Sequence, residues 1–121
     1  MRRLILGLGL ATVLAAPSHA DKADVLSADI QLDPDGTYTL RVEVEHADDG
    51  WDHYADAWQV LAPDGTVLAT RVLAHPHVNE QPFVRSKSGI EIPEGIETVT
   101  LRARDLVHGF GGGELVVTVP R

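Results

Sequence analysis

Five histidines offer this chain its clearest chemistry: His46, His53, His75, His77 and His108. Imidazole changes charge near neutral pH and is the commonest protein ligand for zinc, copper(II), nickel and iron(II). The tightest spacing is His75-Pro76-His77. Residues two apart in an extended chain face the same side, and Pro76 biases His75 toward extended geometry. Two such imidazoles can share one ion, with the Glu80 carboxylate close in sequence. His46 and Asp105 carry a different signal. His46 continues the apolar row Tyr38, Leu40, Val42, Val44, and Asp105 continues Val99, Leu101, Ala103. Both polar groups therefore fall in core-facing phase at a strand end, where each needs a hydrogen bond, a water or an ion. They could satisfy each other. Trp51-Asp52-His53-Tyr54 sets two aromatic rings beside a histidine and a carboxylate. That composition suits a ligand pocket or a partner patch, or simply two rings that plug the end of the fold.

Other chemistries find less support. The chain has no cysteine, and its one methionine is Met1. Thiol nucleophiles, thiolate or thioether copper sites and iron–sulfur clusters are excluded, so any metal must be held by imidazole and oxygen. Ser27, Ser86 and Ser88 stand in no nucleophile-elbow pattern, and no reaction can be assigned. His108-Gly109-Phe110-Gly111-Gly112-Gly113 is rich in glycine, but a phosphate cradle needs a helix after it and a strand is expected here. A flexible or tightly turned loop is the expectation. Asp33-Pro34-Asp35-Gly36 lacks the third carboxylate and closing glutamate of a calcium loop and reads as a turn. Arg85-Ser86-Lys87-Ser88 is a small basic island, expected in a solvated loop.

The elements that must position these residues are strands. Asp33-Pro34-Asp35-Gly36, Pro63-Asp64-Gly65 and Pro93-Glu94-Gly95 are turn signals, because proline presets φ and glycine accepts positive φ. Between them lie β-rich runs with no sustained helical period. Tyr38 to Glu45 alternates apolar and polar, as do residues 98–104 and 115–119. Further strands are expected near residues 25–32, 54–62 and 66–74, with a short one holding Ile90 and Ile92. Seven short strands at even spacing predict an all-β fold, a seven-stranded antiparallel Greek-key β-sandwich of immunoglobulin or fibronectin-III type. A small β-barrel is the structural rival. If successive strands reverse direction, the three Pro/Gly turns share one pole. All five histidines then share the other, with Asp48, Asp49, Trp51, Asp52, Glu80, Asp105 and the glycine run. Loops at one end of a rigid scaffold are the usual place for a site.

The N-terminus reads as a secretory signal over residues 1–20. Arg2 and Arg3 precede an apolar run from Leu4 to Ala16, and Ser18-His19-Ala20 offers small residues for cleavage. With no cysteine at that point, a lipoprotein is not expected. The remaining 101 residues suit one domain over residues 21–121. They carry 8 basic against 18 acidic residues, a net charge of −10 with histidine neutral. Such a surface argues against nucleic acid or an anionic membrane as partner. A periplasmic or secreted location follows.

The stretches Trp51-Asp52-His53-Tyr54-Ala55-Asp56, His75-Pro76-His77-Val78-Asn79-Glu80-Gln81-Pro82-Phe83 and His108-Gly109 resemble a family of small exported bacterial proteins. That resemblance implies export and brings no activity with it. A local likeness to superoxide reductases rests on His75-Pro76 and Asp105-Leu106-Val107-His108-Gly109. It implies a precedent for histidines gathered at one end of an immunoglobulin-like sandwich around iron. Asp105 stands where that family's cysteine would be, so its iron chemistry does not carry over.

The expected function is an exported binding domain holding a divalent transition metal (zinc, copper(II), nickel or iron(II)). The ligands would come from His75, His77, His46, His53, His108, Glu80 and Asp105. The alternative is an interaction or adhesion module that meets a periplasmic protein or glycan through the same pole, with Trp51, Asp52 and Tyr54 as contacts. A third possibility is a hydrogen-bonded cluster that seals the end of the fold. Buried neutral histidines there would make stability fall as pH drops through about 6.5.

Overall fold

Pro-Asp-Gly-Thr occurs twice, and each copy closes a hairpin in the same way. Gly36 (φ 88°) donates to the Asp33 carbonyl, and the Thr37 N–H donates to Asp35 Oδ1 at 3.0 Å. Gly65 (φ 91°) donates to the Ala62 carbonyl, and the Thr66 N–H donates to Asp64 Oδ1 at 2.9 Å. The positive φ is what glycine supplies, and the aspartate side chain reproduces a backbone turn.

A computed structural model describes residues 22–121; the expected signal segment lies outside them. Seven strands follow in order: β1 (Asp24–Leu32), β2 (Tyr38–Glu45), β3 (Ala55–Leu61), β4 (Val67–Val72), β5 (Phe83–Ile90), β6 (Thr98–Asp105) and β7 (Leu115–Thr118). They form two sheets, ordered β1-β2-β5 and β4-β3-β6-β7. Every pairing is antiparallel. The described residues contain no helix. Alternation decides which side chains are buried. Tyr38, Leu40, Val42 and Val44 of β2 and Val99, Leu101 and Ala103 of β6 all face one core with Trp58 of β3. Burial of such apolar rows is the main favourable term holding the two sheets together. The Tyr38 hydroxyl, at the edge of that core, donates to the Pro120 carbonyl at 2.8 Å.

Two expectations need correction. The fifth strand is not a short one around Ile90 and Ile92. It spans Phe83–Ile90, and buried Ile92 lies beyond it. Arg85-Ser86-Lys87-Ser88 is therefore strand, not loop. The alternation is hidden because core-facing positions hold charges: Arg85 pairs opposite Val42, and Lys87 opposite Leu40. β5 ends its sheet, and inward-pointing charge on an edge strand discourages pairing with another chain. Across the gap, Arg71 of the other edge strand, β4, donates through Nε to the Ser86 carbonyl at 2.9 Å. A register shift near Gly89 (φ 71°) adds one residue to β5 before Ile90.

The glycine run after His108 is tightly placed. Gly113 accepts from the Val25 N–H at 2.9 Å and donates to Asp24 Oδ1 at 2.6 Å. A Cβ on Gly112 would stand 2.0 Å from the Ala23 carbonyl oxygen. Glycine here lets the loop before β7 lie directly against the start of β1.

Candidate functional site

The strand reversals bring all five histidines to one end of the two-sheet stack, as the alternating direction predicts. Contacts run through them continuously. His46 and His53 meet edge to face with ring centroids 4.7 Å apart, and His53 and His108 lie 5.0 Å apart. Asp48 links this group to His77, whose ring lies 4.5 Å from that of His75.

Three local devices aim the side chains. His46 follows β2 in core-facing phase, so its ring is fully buried. The loop from Asp49 to His53 closes on itself, with the Asp49 N–H donating to the His53 carbonyl at 2.8 Å and Gly50 at φ 98°. That tight turn points His53 inward and leaves Trp51 66% exposed. At the end of β6, Asp105 and Gly109 exchange backbone hydrogen bonds of 3.1 and 3.0 Å. Asp105 Oδ1 caps that turn by accepting the N–H groups of Val107 at 2.9 Å and His108 at 2.7 Å. The spacing Asp105-x-x-His108-Gly109 thus has a structural cause: the carboxylate binds its own turn, and Gly109 supplies φ 71°.

Two aspartates organise the interior of this end. Asp48 Oδ1 accepts the Ala55 N–H at 2.9 Å and the His46 Nδ1–H at 2.7 Å, while Oδ2 accepts the His77 N–H at 2.7 Å. One buried carboxylate thereby ties the β2–β3 loop to β3 and to the β4–β5 loop. With its proton on Nδ1, His46 turns Nε2 toward Asp105 Oδ2, 4.0 Å away. A carboxylate paired with one ring nitrogen in this way fixes the tautomer and orientation of the imidazole. Asp48 was not singled out in the sequence; its spacing of two from His46 was the available signal.

Asp105 is fully buried. Burial alone would push its carboxyl pKa up, but hydrogen bonds from the His108 and Val107 N–H groups and the His108 ring, with the His46 charge, outweigh it. The net direction is below the ordinary carboxylate value. Oδ1 is crowded: besides its two backbone donors it has His108 Nδ1 at 3.1 Å and His53 Nε2 at 3.2 Å. Oδ2 is buried with no hydrogen-bond partner, and so is His53 Nε2. His46, His53 and Asp105 each offer one ligand atom, and these atoms all lie within 4.8 Å of one another. Two donors about 2.1 Å from a common zinc-like ion lie at most about 4.2 Å apart, so small side-chain shifts would close the set.

The His75-Pro76-His77 pair is arranged differently. The two rings do face one side, tilted 34°. His77 is buried and stacks on Phe83 with centroids 4.0 Å apart. Its Nε2 accepts a hydrogen bond from Arg85 Nη2 at 2.7 Å, so a guanidinium occupies that nitrogen, while Nδ1 is buried 3.9 Å from Asp48 Oδ2 without a hydrogen bond. Burial, then the Arg85 and His75 charges, lower the His77 pKa against the opposing pull of Asp48 and Glu80. His75 is exposed, with Nδ1 3.0 Å from the Pro76 carbonyl. Glu80 is exposed and stands outside the converging set. Of the remaining pole residues, Asp52 is exposed, and Trp51 meets the half-buried Tyr54 edge to face with centroids 5.7 Å apart. The exposure of Trp51 shows that it does not plug the end of the fold.

No family model and no solved structure matches the chain. A protein of Halomicrobium mukohataei described as "Putative lipoprotein" is 41% identical over 96 residues, covering 79% of this chain and 47% of that protein. The chain spans about half the length of the curated relative it matches. A relative so described fits the exported family that the sequence resembles. Nothing in these comparisons supports the likeness to superoxide reductases.

Proposed function

We propose that this is an exported domain, periplasmic or secreted, that binds a divalent transition metal at the histidine end through His46 Nε2, His53 Nε2 and Asp105 Oδ2. Two sheets of three and four antiparallel strands suit a Greek-key sandwich of the immunoglobulin or fibronectin-III kind. The observation that carries the metal reading is the convergence of His46, His53 and Asp105, whose ligand atoms lie within 4.8 Å of one another around the buried Asp105 Oδ2, an oxygen that accepts no hydrogen bond. A cluster serving only to seal the fold gains nothing from a buried oxygen left without a hydrogen bond, which costs about 1–3 kcal/mol, whereas an ion would satisfy it. Two imidazoles and a carboxylate suit zinc, copper(II), nickel or iron(II). The relative's description agrees with export. The chain itself contains no cysteine to carry a lipid at that residue.

Isothermal titration with zinc, copper(II) and nickel tests this. His53→Ala and Asp105→Asn are expected to abolish tight binding, while His75→Ala combined with His77→Ala leaves the donors in place. Binding that survives loss of His53 and Asp105 but vanishes without His75 and His77 would move the site to the other histidine pair.

A second reading has its own support. Trp51, Val78 and Val107, from three loops of the same end, are 66%, 53% and 59% exposed. Such residues suit a protein or glycan contact. Capture of a defined periplasmic partner in the presence of a chelator, lost in Trp51→Ala, would favour an interaction module over metal binding.

A further inference from the structure

We propose that the ion held by His46, His53 and Asp105 keeps one coordination position open, and that a small anion binds there beside His108. The inference rests on the metal reading above. Structural zinc sites surround the ion with four protein donors, whereas sites that exchange or activate a ligand keep three. Among the described residues the converging set comprises three donors.

His108 is the residue best placed to supply a fourth, and its geometry turns it away. Its Nδ1 lies 3.1 Å from Asp105 Oδ1, the oxygen that caps the β6–β7 turn, while the free oxygen is Oδ2. The turn itself holds the ring there, through the bond from the His108 N–H to the same oxygen at 2.7 Å. The ring stands beside His53, tilted 55°, as a wall of the site.

Exposure grades the same way. The side chains of His46 and Asp105 are 0% exposed, that of His53 is 22% exposed and that of His108 is 32% exposed. The buried donors form a floor, and the His53–His108 side is where solvent reaches the ion. Charge selects what enters. A divalent ion bound by two neutral imidazoles and one carboxylate keeps about one unit of positive charge toward its open position, the Asp48 carboxylate lying behind His46 on the far side, and this favours a small anion there. The second ring nitrogen of His108 can then hydrogen-bond that anion.

Cobalt(II) tests the proposal, because its visible absorption reports coordination. The purified protein is loaded with cobalt and titrated with azide, alongside His108→Ala. Wild type is expected to show a saturable spectral change with azide. His108→Ala is expected to keep the wild-type cobalt spectrum, since it loses no ligand, with an affinity about tenfold weaker through the lost contact of its ring with Asp105. Its azide affinity should fall about three- to tenfold through one lost hydrogen bond. Cobalt binding with no azide response, or a His108→Ala cobalt spectrum altered before any azide is added, would overturn the open position, the latter by making His108 the fourth ligand. Failure of cobalt, zinc and copper(II) alike to bind wild type would overturn the metal reading itself.

Discussion

Asp48 shows how much one buried side chain can organise. It accepts from two backbone N–H groups and one imidazole, each in a different segment. Asp48→Ala strands those donors, and a loss of about 3 kcal/mol or more is expected at about 1–3 kcal/mol per buried unsatisfied group. Asp48→Asn keeps one acceptor oxygen and a similar shape. Its expected signature is a metal affinity about 10–100-fold weaker with most of the stability retained, as befits a residue acting through His46. Urea unfolding and metal titration of both variants separate the two effects. Equal metal affinity in Asp48→Asn and wild type would refute the positioning role. Acidity probes a second residue. The folded-state pKa of His77 lies below the ordinary 6.5, so the unfolded chain binds more protons and stability rises with pH there. Its contribution is complete above 6.5 and declines as pH falls through that value toward the folded pKa. Asp105 adds a later loss, because its lowered pKa makes its contribution fade below the ordinary 3.8. Urea midpoints of the metal-free protein are expected to fall between pH 7.5 and 5.5, and less steeply in His77→Gln. The same slope in both proteins would remove His77 as the cause.

At the level of elements, alternation made β2 and β6 legible, because their burial follows the apolar pattern residue by residue. β5 was not legible for a physical reason. It lies at a sheet edge, where core-facing positions reach solvent and tolerate Arg85 and Lys87, so its period-two pattern no longer reads as apolar and polar. The glycine run was legible as a loop but not as a contact. Glycine marks freedom and close approach alike, and the choice depends on what lies opposite, here the backbone of Ala23. Among the described glycines, Gly112→Ala is therefore expected to be the costliest added methyl, about 2 kcal/mol or more, because backbone and not a mobile side chain stands in its way. Hydrogen exchange should show the start of β1 losing protection in that variant. Unchanged protection at Val25 would mean that the loop relaxes without releasing the strand.

For the molecule as a whole, strand direction gathered the histidines at one end, and that inference needed only turn signals and parity. How the end divides was beyond it. His46, His53 and Asp105 converge, while His77 turns to Arg85; the division depends on a guanidinium reaching in from an edge strand that the pattern concealed. The pair with the most suggestive spacing, His75 and His77, does bring its ring centroids to 4.5 Å, but among the described residues no third donor converges with it. Sequence proximity reports which rings share a side, whereas ligation needs lone pairs aimed at one point.

The two Pro-Asp-Gly-Thr hairpins have a practical consequence. Each closes with hydrogen bonds among its own residues, and β2, eight residues long, puts about 25 Å between the first of them and His46. A dye, a surface tether or a fused carrier placed at the exposed Pro34 or Pro63, whose side chains make none of those bonds, should therefore leave the opposite end free to work. Metal titration of a protein immobilised through the first hairpin ought to match that of the protein in solution; a changed affinity would reveal that the two ends communicate through the strands.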